Sequence, residues 1–250
     1  MHNKYTKILS NISKFFEENK KQHAVIGLSG GIDSSLTLKL IVDALGAENV
    51  TAILMPEKGI SLNENIQHAK MLCQFFQVEM LTSSINKFLA DYSVLPWTPT
   101  KLAHINTKAR IRMTLLYSFA NTKNALVIGS TSKTELSIGY GTKYGDLAAD
   151  IYVIGDLYKT EVKDLARHLE LPEELIEKTP SAELYKDQTD ESELGMKYNE
   201  IDSILKQYTN GVSKEVLLNK GISPNTVQKT IRMYHENQHK REKTPIINAN

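Results

Sequence analysis

Between residues 5 and 20 apolar side chains recur at helical spacing, with Ile8, Leu9, Ile12, Phe15 and Phe16 set among polar neighbours, which predicts an amphipathic helix. Residues 24–28 are apolar without interruption and stop at Ser29-Gly30-Gly31, after which 35–45 resumes helical spacing. A short apolar run, a glycine turn and a helix make the first half of a βαβ unit. Residues 50–55 predict a second strand closed by Pro56, Ile66, Ala69, Leu72, Phe75 and Phe76 mark the next helix, and 78–81 a third strand. A long helix over 105–121 leads to a fourth strand at 125–128, and 151–154 is either a fifth strand or an extended loop end. Further helices are predicted at 160–169, 198–208 and 224–241, the last with Ser223 as its cap and Pro224 in its first turn. Residues 179–193 are polar and acidic with no period, which predicts a surface loop suited to ordering over a substrate.

Strands alternating with helices predict an α/β fold, because each parallel strand pair needs a crossover. The expected architecture is doubly wound and Rossmann-like: a mostly parallel five-stranded sheet, helices on both faces and extra helices at the C-terminal end. With 250 residues, 41% hydrophobic, the chain can bury a full core as a single domain over 1–250. A net charge of +1 is too small to hold a polyphosphate backbone, so no nucleic acid partner is expected. The single cysteine, Cys73, excludes an internal disulfide framework and falls within a helical pattern, where a buried small hydrophobe is expected. Together with the absence of an export signal or membrane span, it fits a cytoplasmic protein.

The most informative stretch is Gly27-Leu28-Ser29-Gly30-Gly31-Ile32-Asp33-Ser34. Two glycines between strand and helix allow positive φ and close backbone approach, so N–H groups at the helix start can face an anion. Ser29 and Ser34 add hydroxyl donors. The loop has neither the lysine ending of a Walker A loop nor the spacing of a dinucleotide fingerprint. An acid beside a phosphate site makes electrostatic sense with a hard cation between them, so Asp33 predicts Mg²⁺. A helix cap with Asp33 favouring the macrodipole would not account for both glycines and Ser29 after a buried strand.

This SGGxDS pattern resembles the N-type ATP pyrophosphatases, which split ATP between its α- and β-phosphates and activate a substrate as an adenylate. GMP and argininosuccinate synthetases and tRNA-modifying enzymes share it, so it leaves the acceptor open. Residues 106–113, Gly129-Ser130, Lys133-Thr134-Glu135, residues 141–146, Ala149-Asp150, residues 179–184, Asp190-Glu191, Glu193-Leu194-Gly195 and residues 239–241 resemble the ammonia-dependent NAD synthetases in order and spacing. That resemblance implies amidation of nicotinic acid adenine dinucleotide (deamido-NAD) with ammonia and ATP as co-substrate. It also implies a homodimer sharing the substrate site across its interface, and no glutaminase domain. ATP would meet residues 27–34, Ser130, Lys159 and Ser181; Asp33 and Glu135 would hold Mg²⁺; Asp33 and Lys159 would be the catalytic pair. Deamido-NAD would meet Asn106, Arg110, Lys143 and Asp150, with His239 and Lys240 reaching in from the second subunit.

Asn106 and Arg110, four apart, share a helix face and present an amide and a guanidinium fork suited to a carboxylate or phosphate. Lys108 and Arg112 nearby leave a solvated basic face as the other reading of the same text. The chain departs from the family at Ile105, where glycine is common, and over 95–103. Two further readings stay open: a tRNA base as acceptor, and a module that binds ATP without turnover. The N-terminal helix and the 106–121 helix are the candidates for a dimer contact.

Overall fold

The computed structural model describes residues 1–181, 185 and 189–249. In chain order the elements are α1 (His2–Glu18), β1 (His23–Gly27), α2 (Ile32–Leu45), β2 (Val50–Leu54), α3 (Asn63–Phe76), β3 (Glu79–Thr82), α4 (Asn86–Asp91), α5 (Lys101–Lys123), β4 (Ala125–Gly129), α6 (Lys133–Ile138) and β5 (Ile151–Tyr152). There follow α7 (Lys159–His168), α8 (Glu173–Glu177), α9 (Asp190–Leu194), α10 (Tyr198–Tyr208), α11 (Lys214–Leu218) and α12 (Pro224–Glu236). All five strands run parallel in the order β3-β2-β1-β4-β5, so the expected doubly wound sheet forms.

Alternation along the strands feeds two cores. Ala24, Ile26, Val50, Ala52, Leu54, Leu126 and Ile128 face a large cluster completed by α1, α2, α3, α7 and α8. Val25, Ile53, Ala125 and Val127 face a smaller one covered by α4 and α5. The apolar stripe of α1 is spent within the chain, since Ile12 and Phe16 are buried in the large core. Helices α9, α10 and α12 pack on α6 and α7 around Ile138, Tyr158, Tyr198, Ile201 and Leu205, and α11 packs through Leu217 against α10 and α12.

Several boundaries differ from the sequence reading. Helix α2 begins at Ile32 rather than 35, which draws Asp33 and Ser34 into its first turn. Helix α5 begins at Lys101 rather than 105, because the Thr100 hydroxyl accepts from Ala103 N (3.2 Å) and caps it. The fifth strand is two residues long. The loop reading of 179–193 is wrong at its end: Thr189 accepts from Ser192 N (3.2 Å) and starts α9, while residues 182–184 and 186–188 lie outside the described residues. Ser223 makes no side-chain cap bond, although Pro224 does open α12, and that helix ends at Glu236 instead of 241.

Candidate active site

The chain reverses direction across the sheet between β1 and β4, and open α/β sheets hold ligands beyond the carboxyl ends of such strands. Both loops singled out in the sequence leave from this point. After β1 the chain turns through Gly30 at φ 82°, a left-handed conformation that favours glycine. A Cβ there would also lie 2.1 Å from the Asn65 backbone oxygen. Ser29 Oγ accepts from Gly31 N (3.2 Å) and lies 3.0 Å from Ser34 Oγ, which donates to the Gly31 carbonyl (3.1 Å). The loop is therefore cross-tied by its own hydroxyls.

After β4, Ser130 leads to Ser132, which caps α6 in a reciprocal box with Glu135. Glu135 Oε2 accepts from Ser132 N (2.8 Å) and Oγ (2.7 Å), which turns Oε1 toward Lys159 Nζ at 2.9 Å. Lys159 opens α7, is 1% exposed, and also reaches Asp33 Oδ2 at 2.5 Å. Its ammonium lies 4.9 Å from the Tyr198 ring centroid. Burial alone would lower the Lys159 pKa, but Asp33 and Glu135 hold it well above the usual lysine range. Burial pushes the Asp33 carboxyl up against the pull of Lys159, whereas Lys159 and the Ser132 bonds overcome burial and hold Glu135 down. Buried Lys159 and the partly buried carboxylates of Asp33 and Glu135 thus form one unit.

Among the described residues Asp33 Oδ1 is buried without a hydrogen-bond partner, which suits a hard cation. Among the described residues no group of three or more His, Cys, Asp and Glu could hold a metal unaided. Mg²⁺ commonly takes one or two carboxylates and completes its shell with phosphate and water, so the donor set fits it only together with a polyphosphate.

Of the acceptor-side residues, the structure brings Asn106, Arg110, Lys143 and His239 together. Asn106 Oδ1 accepts from Thr142 Oγ1 (2.8 Å), Arg110 Nη2 donates to the Lys143 carbonyl (3.2 Å), and Lys143 Nζ lies 3.5 Å from His239 Nδ1. Lys240 Nζ donates to the Gly139 (2.6 Å) and Gly141 (2.9 Å) carbonyls of its own chain. Asp150 stands apart, accepting from Val127 N (2.7 Å) and Tyr117 Oη (3.3 Å). Ser181 follows α8 at half-buried depth. The solvated-face reading of α5 holds for Arg110, which is exposed, but not for its neighbours: Lys108 is buried against Glu57 Oε2 at 2.8 Å, and Arg112 Nε donates to the Met55 carbonyl (3.1 Å).

Sequence reasoning assigned no role to Asp190, whose buried carboxylate accepts from Tyr198 Oη (3.1 Å) and Tyr140 Oη (3.3 Å) beside the Lys159 unit. It also passed over Tyr140, Tyr198 and Lys178. The only signal was the position of Asp190 inside a matched segment.

A bent, hydroxyl-tied glycine loop and a buried lysine–carboxylate unit at a topological switch point define an ATP pyrophosphatase-type α/β enzyme. Residues 4–244 match the NAD synthase family. The chain is 43% identical to the NH3-dependent NAD(+) synthetase of Methanocaldococcus jannaschii over 95% of both chains. Among solved structures it is similar to the NMN synthetase from Francisella tularensis (TM-score 0.88, 31% identity, 99% of both chains). It is similar too to the NH3-dependent NAD synthetase from Campylobacter jejuni in complex with the nitrate ion (TM-score 0.83, 35% identity, 98% of this chain and 97% of that one). The chain belongs to the NAD synthase family: it is an ATP-using ligase that forms an amide C–N bond. The readings of a tRNA acceptor and of a module without turnover give way to that membership. No helix among the described residues is long and apolar enough to cross a membrane.

Proposed function

We propose that this ligase amidates deamido-NAD with free ammonia in two steps at the cleft between β1 and β4. The nicotinate carboxylate attacks the α-phosphorus of ATP, the bond to the β-phosphate breaks, and pyrophosphate leaves. Ammonia then attacks the acyl carbon of the adenylate, AMP departs with the C–O electron pair, and the excess proton passes to solvent. The observation that carries this reading is the buried ammonium of Lys159 clasped by Asp33 and Glu135 beside the loop of Ser29–Ser34.

The loop amides and the hydroxyls of Ser29 and Ser34 would grip the β- and γ-phosphates, and Lys159 would stabilise charge on departing pyrophosphate. Mg²⁺, held by Asp33 Oδ1 with Glu135 alongside, would neutralise the triphosphate when bound. Ser130 and Ser181 would add hydroxyl contacts to ATP. Arg110, Lys143 and His239 form a basic group suited to the acceptor's phosphates, while Asn106 holds the loop that carries Lys143. Purified protein releasing no AMP and pyrophosphate with deamido-NAD, ammonium and Mg²⁺ would remove the reading.

A mononucleotide acceptor is the second reading, favoured by the likeness to an NMN synthetase along 99% of both chains. Parallel kcat/KM measurements on nicotinate mononucleotide and dinucleotide separate the two. We also propose a homodimer formed through the thinly covered face of the sheet. There Leu115, Leu116, Tyr117 and Phe119 of α5 are only partly buried, and Phe88, Tyr92 and Leu102 are exposed. Sedimentation as a monomer at micromolar concentration would refute the dimer.

A further inference from the structure

Lys178 lies outside every motif that the resemblance assigns, yet it adjoins the phosphate loop through a single residue. Its ammonium donates to Asn65 Oδ1 at 2.5 Å and pairs with Glu64 Oε2 at 3.1 Å, with a fifth of the side chain exposed. Asn65 is 7% exposed, and its backbone carbonyl is the group against which Gly30 turns. The line Gly30–Asn65–Lys178 therefore puts a cation at the outer bend of the loop. The Lys159 ammonium sits on the other flank, where Asp33 and Glu135 already match its charge twice over.

A polyphosphate bound in this loop brings more negative charge than Lys159 can balance, and a cation over a low-dielectric cleft is worth more there than in water. The Lys178 partners divide by burial. Asn65 is neutral and fixed against the loop, whereas the Glu64 side chain is 64% exposed and held by a screened pair of little net strength. A phosphate competes well with such a partner, because a lysine ammonium has three donors on a flexible stem. We propose that Lys178 is a second phosphate-binding lysine, released by Glu64 and aimed by Asn65 at the pyrophosphate half of ATP.

This inference rests on the proposed reaction, so the wild-type enzyme must first release pyrophosphate in the presence of Mg²⁺; failure there removes the reaction and not Lys178 in particular. Lys178→Met is expected to raise the KM for ATP and the inhibition constant of pyrophosphate about tenfold, near 1.4 kcal/mol. The inhibition constant of AMP and the acceptor KM should stay within about twofold, and Lys178→Arg should recover most of the loss. If Lys178 only staples α8 to α3, pyrophosphate and AMP inhibition will move together or not at all, which overturns the proposal. Glu64→Gln guards against a variant that fails to fold. Freed from its carboxylate, Lys178 should lower the KM for ATP by about two- to threefold, and an unchanged or raised KM overturns the proposal as well.

Discussion

Replacement of Gly30 by alanine tests the geometry on which the site depends. The backbone there has φ 82°, where an L-residue costs about 1–2 kcal/mol, so the first part of the penalty is conformational. The second part is steric. The new Cβ would stand 2.1 Å from the Asn65 carbonyl oxygen and 3.0 Å from its Cα, and both are backbone atoms of α3 that cannot rotate away. Relief needs the loop or the start of α3 to move by roughly an ångström, a misplacement that costs on the order of a hundredfold in rate when it falls on a reacting group. We expect Gly30→Ala to lose about 2–3 kcal/mol in urea unfolding, the strain plus part of the repacking cost. Mg²⁺-dependent pyrophosphate release should fall at least about a hundredfold in kcat/KM for ATP. Gly31→Ala is the control: among the described residues its Cβ would meet nothing nearer than Ser29 Oγ at 3.5 Å, and only a weaker helix cap is lost, about 1 kcal/mol. Equal kinetics for the two variants, or Gly30→Ala within twofold of wild type, would refute the reasoning.

Lys159→Met leaves the partly buried Asp33 and Glu135 without their counter-charge, so a stability loss of about 3 kcal/mol, the low end for a broken buried pair, is expected at pH 7. Protonation at lower pH neutralises the stranded carboxylates, so the deficit relative to wild type should shrink between pH 7 and pH 5, and urea titrations showing it constant or growing would contradict the pairing. Burial pushes the Cys73 thiol up to about 11, so it stays protonated at pH 8; iodoacetamide should leave the folded protein unlabelled by mass spectrometry until it is denatured, and rapid labelling would show the site to be open. Removing the Lys240 ammonium strips the Gly139 and Gly141 carbonyls of a donor, so Lys240→Met should speed hydrogen exchange at 139–146 and raise the acceptor KM several-fold, with the KM for ATP unchanged; parallel changes in both constants would argue against a loop-specific role.

Much of the fold was legible because period and punctuation agree along the first half of the chain. The largely apolar runs at β1, β2 and β4 match strands buried on both faces over most of their length, and the glycine pair after β1 punctuates the first of them. The Ser132–Glu135 capping box was present in the text as a local signature and still went unread as a helix start. The start of α9 hid inside a polar, acidic stretch, where one threonine cap outweighs composition.

Local spacing was enough for the four main strands and the longer helices, but not for the short helices α4, α6, α8, α9 and α11, while spacing together with segments resembling a known family marked the phosphate loop and Asp33, Glu135 and Lys159. Only the tertiary structure decided that Lys159 is buried between both carboxylates, that Lys108 is matched to Glu57 instead of facing solvent, and that Lys240 grips its own chain. It alone set Asp190 beside two tyrosines and Lys178 beside Asn65. The physical reason is range: a strand or a cap is settled within a few residues, whereas the charge environment of Lys159 joins groups 24 and 126 positions away, and their meeting exists only once β1 and β4 lie side by side.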